Sequence, residues 1–183
     1  MFNKLKVTSA LVACLAGASI LTGTAQAAET PIGKPIIYAG MEVGAVYLQP
    51  VPMMPAGMMR PVAKSDIHLE ADIHATNNNV NGFKEGEWIP YLGITYEITK
   101  EGSKQVLKGD LMAMTANDGP HYGENVKLMG PGKYHLKFTI LPPDYKGEFG
   151  YHIDKETGVK PFFKKCIAEY DFTYLGTGKK GGY

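Results

Sequence analysis

Residues 66–75 read DIHLEADIHA, ten positions at which polar and apolar residues alternate without a break. Successive side chains of a β-strand point to opposite faces, so this alternation predicts a strand with one apolar and one polar face. The apolar face, expected to pack into a core, consists of Ile67, Leu69, Ala71, Ile73 and Ala75. The polar face, in which every residue is a potential metal ligand, consists of Asp66, His68, Glu70, Asp72 and His74.

Two interpretations of this polar face stay open from the strand alone. The simpler one is a charged face that meets solvent, as on many half-exposed strands. The alternative is a metal site. It is favoured by the absence of Lys, Thr or Ser from the face and by three carboxylates with no cation between them. Crowded carboxylates repel one another, and a bound cation relieves that repulsion.

Further strand patterns lie on both sides of this stretch, and no segment after residue 27 shows a helical period. We predict strands at residues 43–48, 88–99, 105–107, 111–115, 133–141 and 168–175, separated by Gly, Pro and Asn clusters. About seven short strands of this kind predict an all-β fold, specifically an immunoglobulin-like antiparallel β-sandwich. A β-barrel is the main alternative. The predicted metal-binding β-sandwich domain spans residues 28–175, followed by a flexible tail at 176–183.

Residues 1–27 have the organisation of a secretory signal peptide. Lys4 and Lys6 precede a run of small apolar residues, and Ala25-Gln26-Ala27 forms a small-x-small cleavage site. The expected location of the mature protein is therefore the periplasm. Lipid anchoring is the less favoured alternative, because residues 11–14 resemble a lipoprotein-processing site ending at Cys14.

Composition argues against a nucleic-acid partner and against a fold stabilised by a disulfide. The 183-residue chain carries 19 Lys+Arg and 18 Asp+Glu, and removing Lys4 and Lys6 leaves 17 against 18, a net charge of −1. This balance gives no electrostatic reason to expect a nucleic-acid partner. Of the 2 cysteines, only Cys166 would remain after cleavage, so no intramolecular disulfide can form and a hydrophobic core must stabilise the fold. We favour a buried thiol for Cys166.

Methionine and histidine residues form a second pattern. Met112 and Met114 share a strand face, and His121 follows a turn-rich segment. Thioether sulfur with imidazole suits copper, because soft sulfur favours Cu(I) and imidazole accepts either oxidation state. Ordinary core packing of Met114 and a turn position for His121 are the alternatives. His152 lies on a Gly- and aromatic-rich segment and is ambiguous alone.

A methionine loop, residues 50–61, combines four methionines with four prolines. Its proline content is too high for a central strand. Its methionines, Met53, Met54, Met58 and Met59, either pack on the sandwich or form a surface that binds a soft metal or a partner.

Several segments together resemble the periplasmic iron-transport proteins of the FetP type, a family that includes a spirochaetal lipoprotein membrane antigen. They are 31–33 (PIG), 40–42 (GME), 45–50 (AVYLQP), 68–75 (HLEADIHA) and 118–123 (DGPHYG). The resemblance implies an immunoglobulin-like homodimer that binds copper near its interface and supports high-affinity ferrous iron uptake beside an inner-membrane permease. The metal ligands it implies are His68, Glu70, Met114, His121 and His152. It also implies Glu29 as an auxiliary ligand, and we expect the carboxylates of Asp72, Glu70 and Glu42 to hold iron transiently.

We therefore expect a periplasmic copper-binding component of an iron-uptake system, with iron as the transported ion. A copper chaperone or resistance protein is the first alternative, and the methionine loop favours it. A copper-dependent ferroxidase is the second. We predict no enzymatic activity, since the chain has no Ser-His-Asp order, CxxC pair or nucleotide-binding glycine loop.

Overall fold

The computed structural model describes residues 29–176, which form nine β-strands joined by loops. The strands are β1 (Thr30–Pro31), β2 (Ile36–Tyr38), β3 (Met41–Leu48), β4 (Ile67–Ala75), β5 (Gly93–Lys100), β6 (Val106–Ala116), β7 (Gly119–Val126), β8 (Gly132–Leu141) and β9 (Cys166–Tyr174). A single 3-10 turn, Val62–Lys64, is the only helical segment within these residues. The predicted all-β antiparallel fold is confirmed. The predicted signal peptide lies outside the described residues, as does the predicted tail beyond residue 176.

One long strand, β6, joins two antiparallel layers. Residues 106–111 of β6 pair with β5, and residues 112–116 pair with β7. The strand order is therefore β1-β3-β4-β7-β6-β5-β8-β9, with β2 also paired to β3. Because β6 leaves one layer and enters the other, the chain folds back on itself and buries one face of each layer.

The core lies between the two layers, and β4 supplies its centre. Ile67, Leu69, Ala71 and Ile73 are completely buried, as the alternation predicts. The layers meet where β3 faces β9. There the Tyr170 hydroxyl donates a hydrogen bond to the Val43 carbonyl oxygen at 2.7 Å.

Three strand predictions differ from the structure. Residues 88–92 are not part of β5, because Pro90 cannot donate a ladder hydrogen bond and Tyr91 adopts φ 60°. The predicted strands at 105–107 and 111–115 are one strand, β6. The sequence reading missed β7 entirely, because Gly119, Pro120 and Gly123 suggested a turn. It also missed the short strands β1 and β2.

Between residues 29 and 176, no helix is long and apolar enough to cross a bilayer.

Candidate metal centre

The polar face of β4 is turned toward a cavity rather than toward solvent. His68 and Glu70 are only 1% and 4% exposed, although both are polar and one is acidic. β4 is an inner strand, paired with β3 on one side and β7 on the other, and residues of the methionine loop line the cavity that these two side chains face. The alternative of a solvent-facing polar face is therefore wrong at these two positions.

Three side chains converge at this point. The Nε2 atoms of His68 and His121 each lie 3.4 Å from Glu70 Oε1. His121 comes from β7 and is 6% exposed. Neither Nε2 atom has a hydrogen-bond partner among residues 29–176, although both are buried. Buried polar atoms are nearly always paired, so two unpaired nitrogens aimed at one carboxylate fit a bound cation.

The pairing of β6 with β7 explains why Met114 lies next to these three side chains. Met114 lies directly opposite His121 across the β6–β7 ladder, and Glu70 lies opposite Gly123 across the β4–β7 ladder. A Cβ atom built on Gly123 would be 2.6 Å from His68 Nε2 and 3.2 Å from Met114 Sδ. Gly123 therefore leaves open the small space that an imidazole nitrogen and a thioether sulfur both border.

A cavity of about 570 Å³ opens above this space. Its floor includes His68, Glu70, Met114 and His121, and three methionines of the methionine loop also line it: Met53, Met54 and Met58. The predicted strand-borne ligands and the separately predicted methionine loop thus border one cavity.

Burial controls the protonation of the two central groups in the metal-free protein. Burial lowers the pKa of His68 to about 4, with a smaller contribution from the charge of His121, although the hydrogen bond to Asn125 acts to raise it. Burial raises the pKa of Glu70 to about 8, with smaller contributions from the negative charges of Asp72, Glu29 and Asp118. At neutral pH His68 is therefore neutral, with a lone pair available for a metal, while Glu70 keeps a proton that a cation would displace.

An acidic group adjoins the imidazoles. Glu29, Glu70 and Asp72 have carboxylate oxygens within 4.8 Å of one another, the same mutual distance that unites His68, Glu70 and His121. Partial burial raises the pKa of both Glu29 and Asp72. The charges of Asp72 and Asp118 raise that of Glu29 further, whereas His121 and His74 partly oppose the rise at Asp72. Glu70 belongs to both groups and links the nitrogen-containing part of the site to the oxygen-only part.

Other predicted ligands lie elsewhere in the chain. His152 is on an exposed segment, where its Nδ1 lies 2.7 Å from Thr157 Oγ1, and it belongs to neither group. Glu42 is exposed on β3 and also belongs to neither group. Cys166 is buried at the start of β9, as expected, and burial raises the pKa of its thiol to about 11.

Two residues of the site were missed by the sequence reading. Asn125 lies opposite His68 across the β4–β7 ladder, and its Oδ1 is 3.0 Å from His68 Nδ1. Gly123 forms the open space described above. Residues 121, 123 and 125 alternate on one face of β7, so the period-two signal was present but was obscured by the neighbouring Gly and Pro residues.

A family model and several known proteins match most of this chain. A family model described as Fe2+ transport protein matches residues 26–176. A UPF0423 protein of Brucella abortus is 61% identical over 161 residues, which cover 87% of this chain and 88% of the relative. The 34 kDa membrane antigen of Treponema pallidum is 41% identical over 154 residues, covering 81% of this chain and 75% of the antigen.

Solved structures show the same fold. The copper-reconstituted P19 protein from Campylobacter jejuni superposes with a TM-score of 0.80 at 48% identity, covering 83% of this chain and 99% of P19. A copper-bound glutamate-to-glutamine variant of FetP from uropathogenic Escherichia coli strain F11 gives a TM-score of 0.79 at 48% identity. That match covers 81% of this chain and 99% of FetP.

Proposed function

Because this chain belongs to the Fe2+ transport protein family, we propose that it is the periplasmic copper-binding component of a high-affinity iron-uptake system. In this role it handles iron for an inner-membrane permease. The proposal is supported by the copper-bound P19 and FetP structures, which share its fold at nearly half sequence identity. It is supported equally by the chemistry of the side chains around the cavity.

The single observation that carries the copper assignment is the pair of buried, unpaired Nε2 atoms of His68 and His121 beside Glu70. Imidazole nitrogen, thioether sulfur and a carboxylate together suit both Cu(I) and Cu(II). His68, Glu70, Met114 and His121 would hold copper here. Bound copper would supply a redox-active centre next to the acidic group.

The acidic group is our candidate for transient iron binding. Ferrous iron accepts oxygen ligands readily, and Glu29, Glu70 and Asp72 offer three carboxylates at one point. Glu42 is exposed on β3 and belongs to neither group, so the proposed iron path consists of Glu29, Glu70 and Asp72. Because Glu70 belongs to both groups, an iron ion held by these carboxylates would lie next to the copper.

We further propose that the protein acts as a homodimer. His152 lies outside the cluster of its own chain, with Thr157 and Asp154 as its neighbours. As a fifth copper ligand it would therefore have to be supplied by a second copy. In this arrangement each cavity lies at the subunit interface.

Isothermal titration of Cu(II) into the metal-free mature protein tests the copper site. His121→Ala and Met114→Leu should each weaken binding at least about tenfold, a loss of about 1.4 kcal/mol. The matched control is His135→Ala, which removes an imidazole that is paired with Asp171 on the other layer. Equal affinities for all four proteins would sink the assigned site.

Iron binding needs its own variant. Asp72→Asn removes one charge from the acidic group but leaves both imidazoles and Met114 in place. It should weaken anaerobic Fe(II) binding while Cu(II) affinity stays close to wild type. An equal loss for both metals would mean that the two groups act as one site.

A copper chaperone or resistance role is the second candidate, because three loop methionines line the cavity. Growth of a deletion strain separates the two roles. A defect under iron limitation supports iron uptake, whereas copper sensitivity with normal growth on limiting iron supports the chaperone. We propose no enzymatic turnover, so copper-loaded protein should not accelerate oxygen consumption with Fe(II) catalytically.

A further inference from the structure

We propose that Asn125 is a positioning residue that acts on two parts of the cavity at once. Its amide holds His68 in the tautomer that presents an unprotonated Nε2, and the same amide closes the methionine loop over the site. The consequence for copper binding rests on the proposed function, whereas the tautomer and the loop contacts concern the metal-free protein alone.

The hydrogen bonds of Asn125 determine how its amide is oriented. Nδ2 lies 2.8 Å from the carbonyl oxygen of Val51 and 2.9 Å from that of Arg60. Carbonyl oxygens only accept hydrogen bonds, so the nitrogen of the amide must be on this side. Oδ1 therefore faces His68 Nδ1 at 3.0 Å and the Val51 N–H at 3.1 Å.

The tautomer of His68 follows from this orientation. An amide oxygen can only accept, so His68 Nδ1 must carry the proton and donate it. In the neutral ring Nε2 is then unprotonated, and this is the atom that lies 3.4 Å from Glu70 and lacks a partner. Second-shell hydrogen bonds of this kind fix which imidazole nitrogen a metal meets.

The same side chain holds both ends of the methionine loop. Val51 near its start and Arg60 near its end are bonded to one amide that is itself only 1% exposed. Glu124 adds a second contact, since its Oε1 accepts from the Arg60 N–H at 3.0 Å. The segment between these anchors carries Met53, Met54 and Met58 to the cavity.

Asn125 therefore couples the loop to the metal ligand. The oxygen that accepts from Val51 also accepts from His68, so displacement of the loop disturbs the partner of Nδ1. Conversely, an ion held at Nε2 favours the tautomer that keeps Asn125 in its clamping position. Metal binding at His68 should therefore also stabilise the closed methionine loop.

Two substitutions separate the two actions of the amide. Asn125→Asp keeps an oxygen for His68 Nδ1 but replaces the donor with an oxygen that faces two carbonyls. Asn125→Leu removes both the acceptor and the donor. The matched control is Asn81→Leu, because Asn81 also clamps two carbonyls with its Nδ2, those of Lys160 and Pro161, away from the cavity.

The tautomer is read from long-range ¹H–¹⁵N spectra of the histidine rings in metal-free protein. Wild type, Asn125→Asp and Asn81→Leu should show His68 with a protonated Nδ1, and Asn125→Leu should lose this preference. Loop closure is read from hydrogen peroxide oxidation of half-buried Met53, with exposed Met54 as internal reference. Met53 should oxidise severalfold faster in both Asn125 variants and at the wild-type rate in Asn81→Leu.

Copper titration then measures the consequence. Asn125→Leu should weaken Cu(II) binding about 10–100-fold, the usual range for lost second-shell partners of metal-bound histidine. A proton on Nε2 of His68 in the wild type, or unchanged Met53 oxidation in Asn125→Asp, would overturn the proposal. If Asn125→Leu does not fold, these two results still decide it. Failure of the wild type to bind copper would contradict the proposed function but not the tautomer or the clamp.

Discussion

Glu70 is the residue at which the two parts of the site meet. It lies between the Nε2 atoms of His68 and His121, and it also completes the carboxylate group with Glu29 and Asp72. Its burial without a cation raises its pKa to about 8. A buried acid with a raised pKa makes the free energy of unfolding depend on pH. Replacing Glu70 should therefore change that dependence.

Glu70→Gln should therefore stabilise the metal-free protein, and more so as pH rises. The folded pKa, about 8, exceeds the ordinary value of 4.5 for a glutamic acid, so the folded protein keeps a proton that the unfolded chain releases. Stability from this group is complete below about pH 4.5 and is lost as pH rises through 8. The advantage of the glutamine variant should grow by at most about 1.4 kcal/mol per pH unit over this window.

Urea unfolding with a chelator at pH 5, 7 and 9 measures this effect. Copper should reverse the order of stability, because the variant lacks the carboxylate ligand. A difference between the two proteins that does not change with pH would contradict the assignment of Glu70 as a buried, protonated acid.

Gly123 offers a test of the space that the ion would occupy. Gly123→Ala places a methyl group 2.6 Å from His68 Nε2 and 3.2 Å from Met114 Sδ, so copper affinity should fall at least about tenfold. Gly150→Ala is the control, because its added Cβ meets no atom within 4 Å. Equal copper affinities would show that the ion binds away from Gly123.

At the scale of elements, the two faces of β4 have different roles: the apolar face stabilises the fold, and the polar face carries proposed copper ligands. Leu69 is completely buried on the core face, and Leu69→Ala should cost about 2–5 kcal/mol of unfolding free energy through the cavity it leaves. Its copper affinity per folded molecule should remain near wild type. His121→Ala should do the opposite, losing copper with a smaller loss of stability, as paired urea and copper titrations would reveal. A variant pair that loses both properties together would argue against this division.

Elements with unbroken alternation were predictable from sequence, and those punctuated by Gly or Pro were not. β4 and β8 were found within one residue of their bounds, because their period-two pattern continues to both ends. β7 was missed although it carries His121, Gly123 and Asn125. His68, Glu70, Met114 and His121 were placed together only through family resemblance, since pairing between distant strands leaves no local signal. The Asn125 contacts depend on register and on a folded loop.

At the scale of the whole molecule, the sandwich fold positions the site but leaves His152 apart from it. A homodimer that shares ligands makes a specific prediction. His152→Ala should weaken copper binding without changing the fold of the subunit, because the side chain is exposed and, within the part of the chain that the structure describes, contacts its own loop at Thr157 and Asp154. Sedimentation velocity should show a dimer in wild-type protein. A monomer that binds copper with wild-type affinity would refute the shared site.

The central claim is that copper binds at the junction of β4, β6 and β7. Crystals of copper-loaded protein, measured at the copper absorption edge, test it directly through the anomalous difference map. The account predicts one strong peak per subunit bordered by His68 Nε2, His121 Nε2 and Met114 Sδ, next to Glu70. A peak at the methionine loop alone, or at His135, with none at this junction would contradict it.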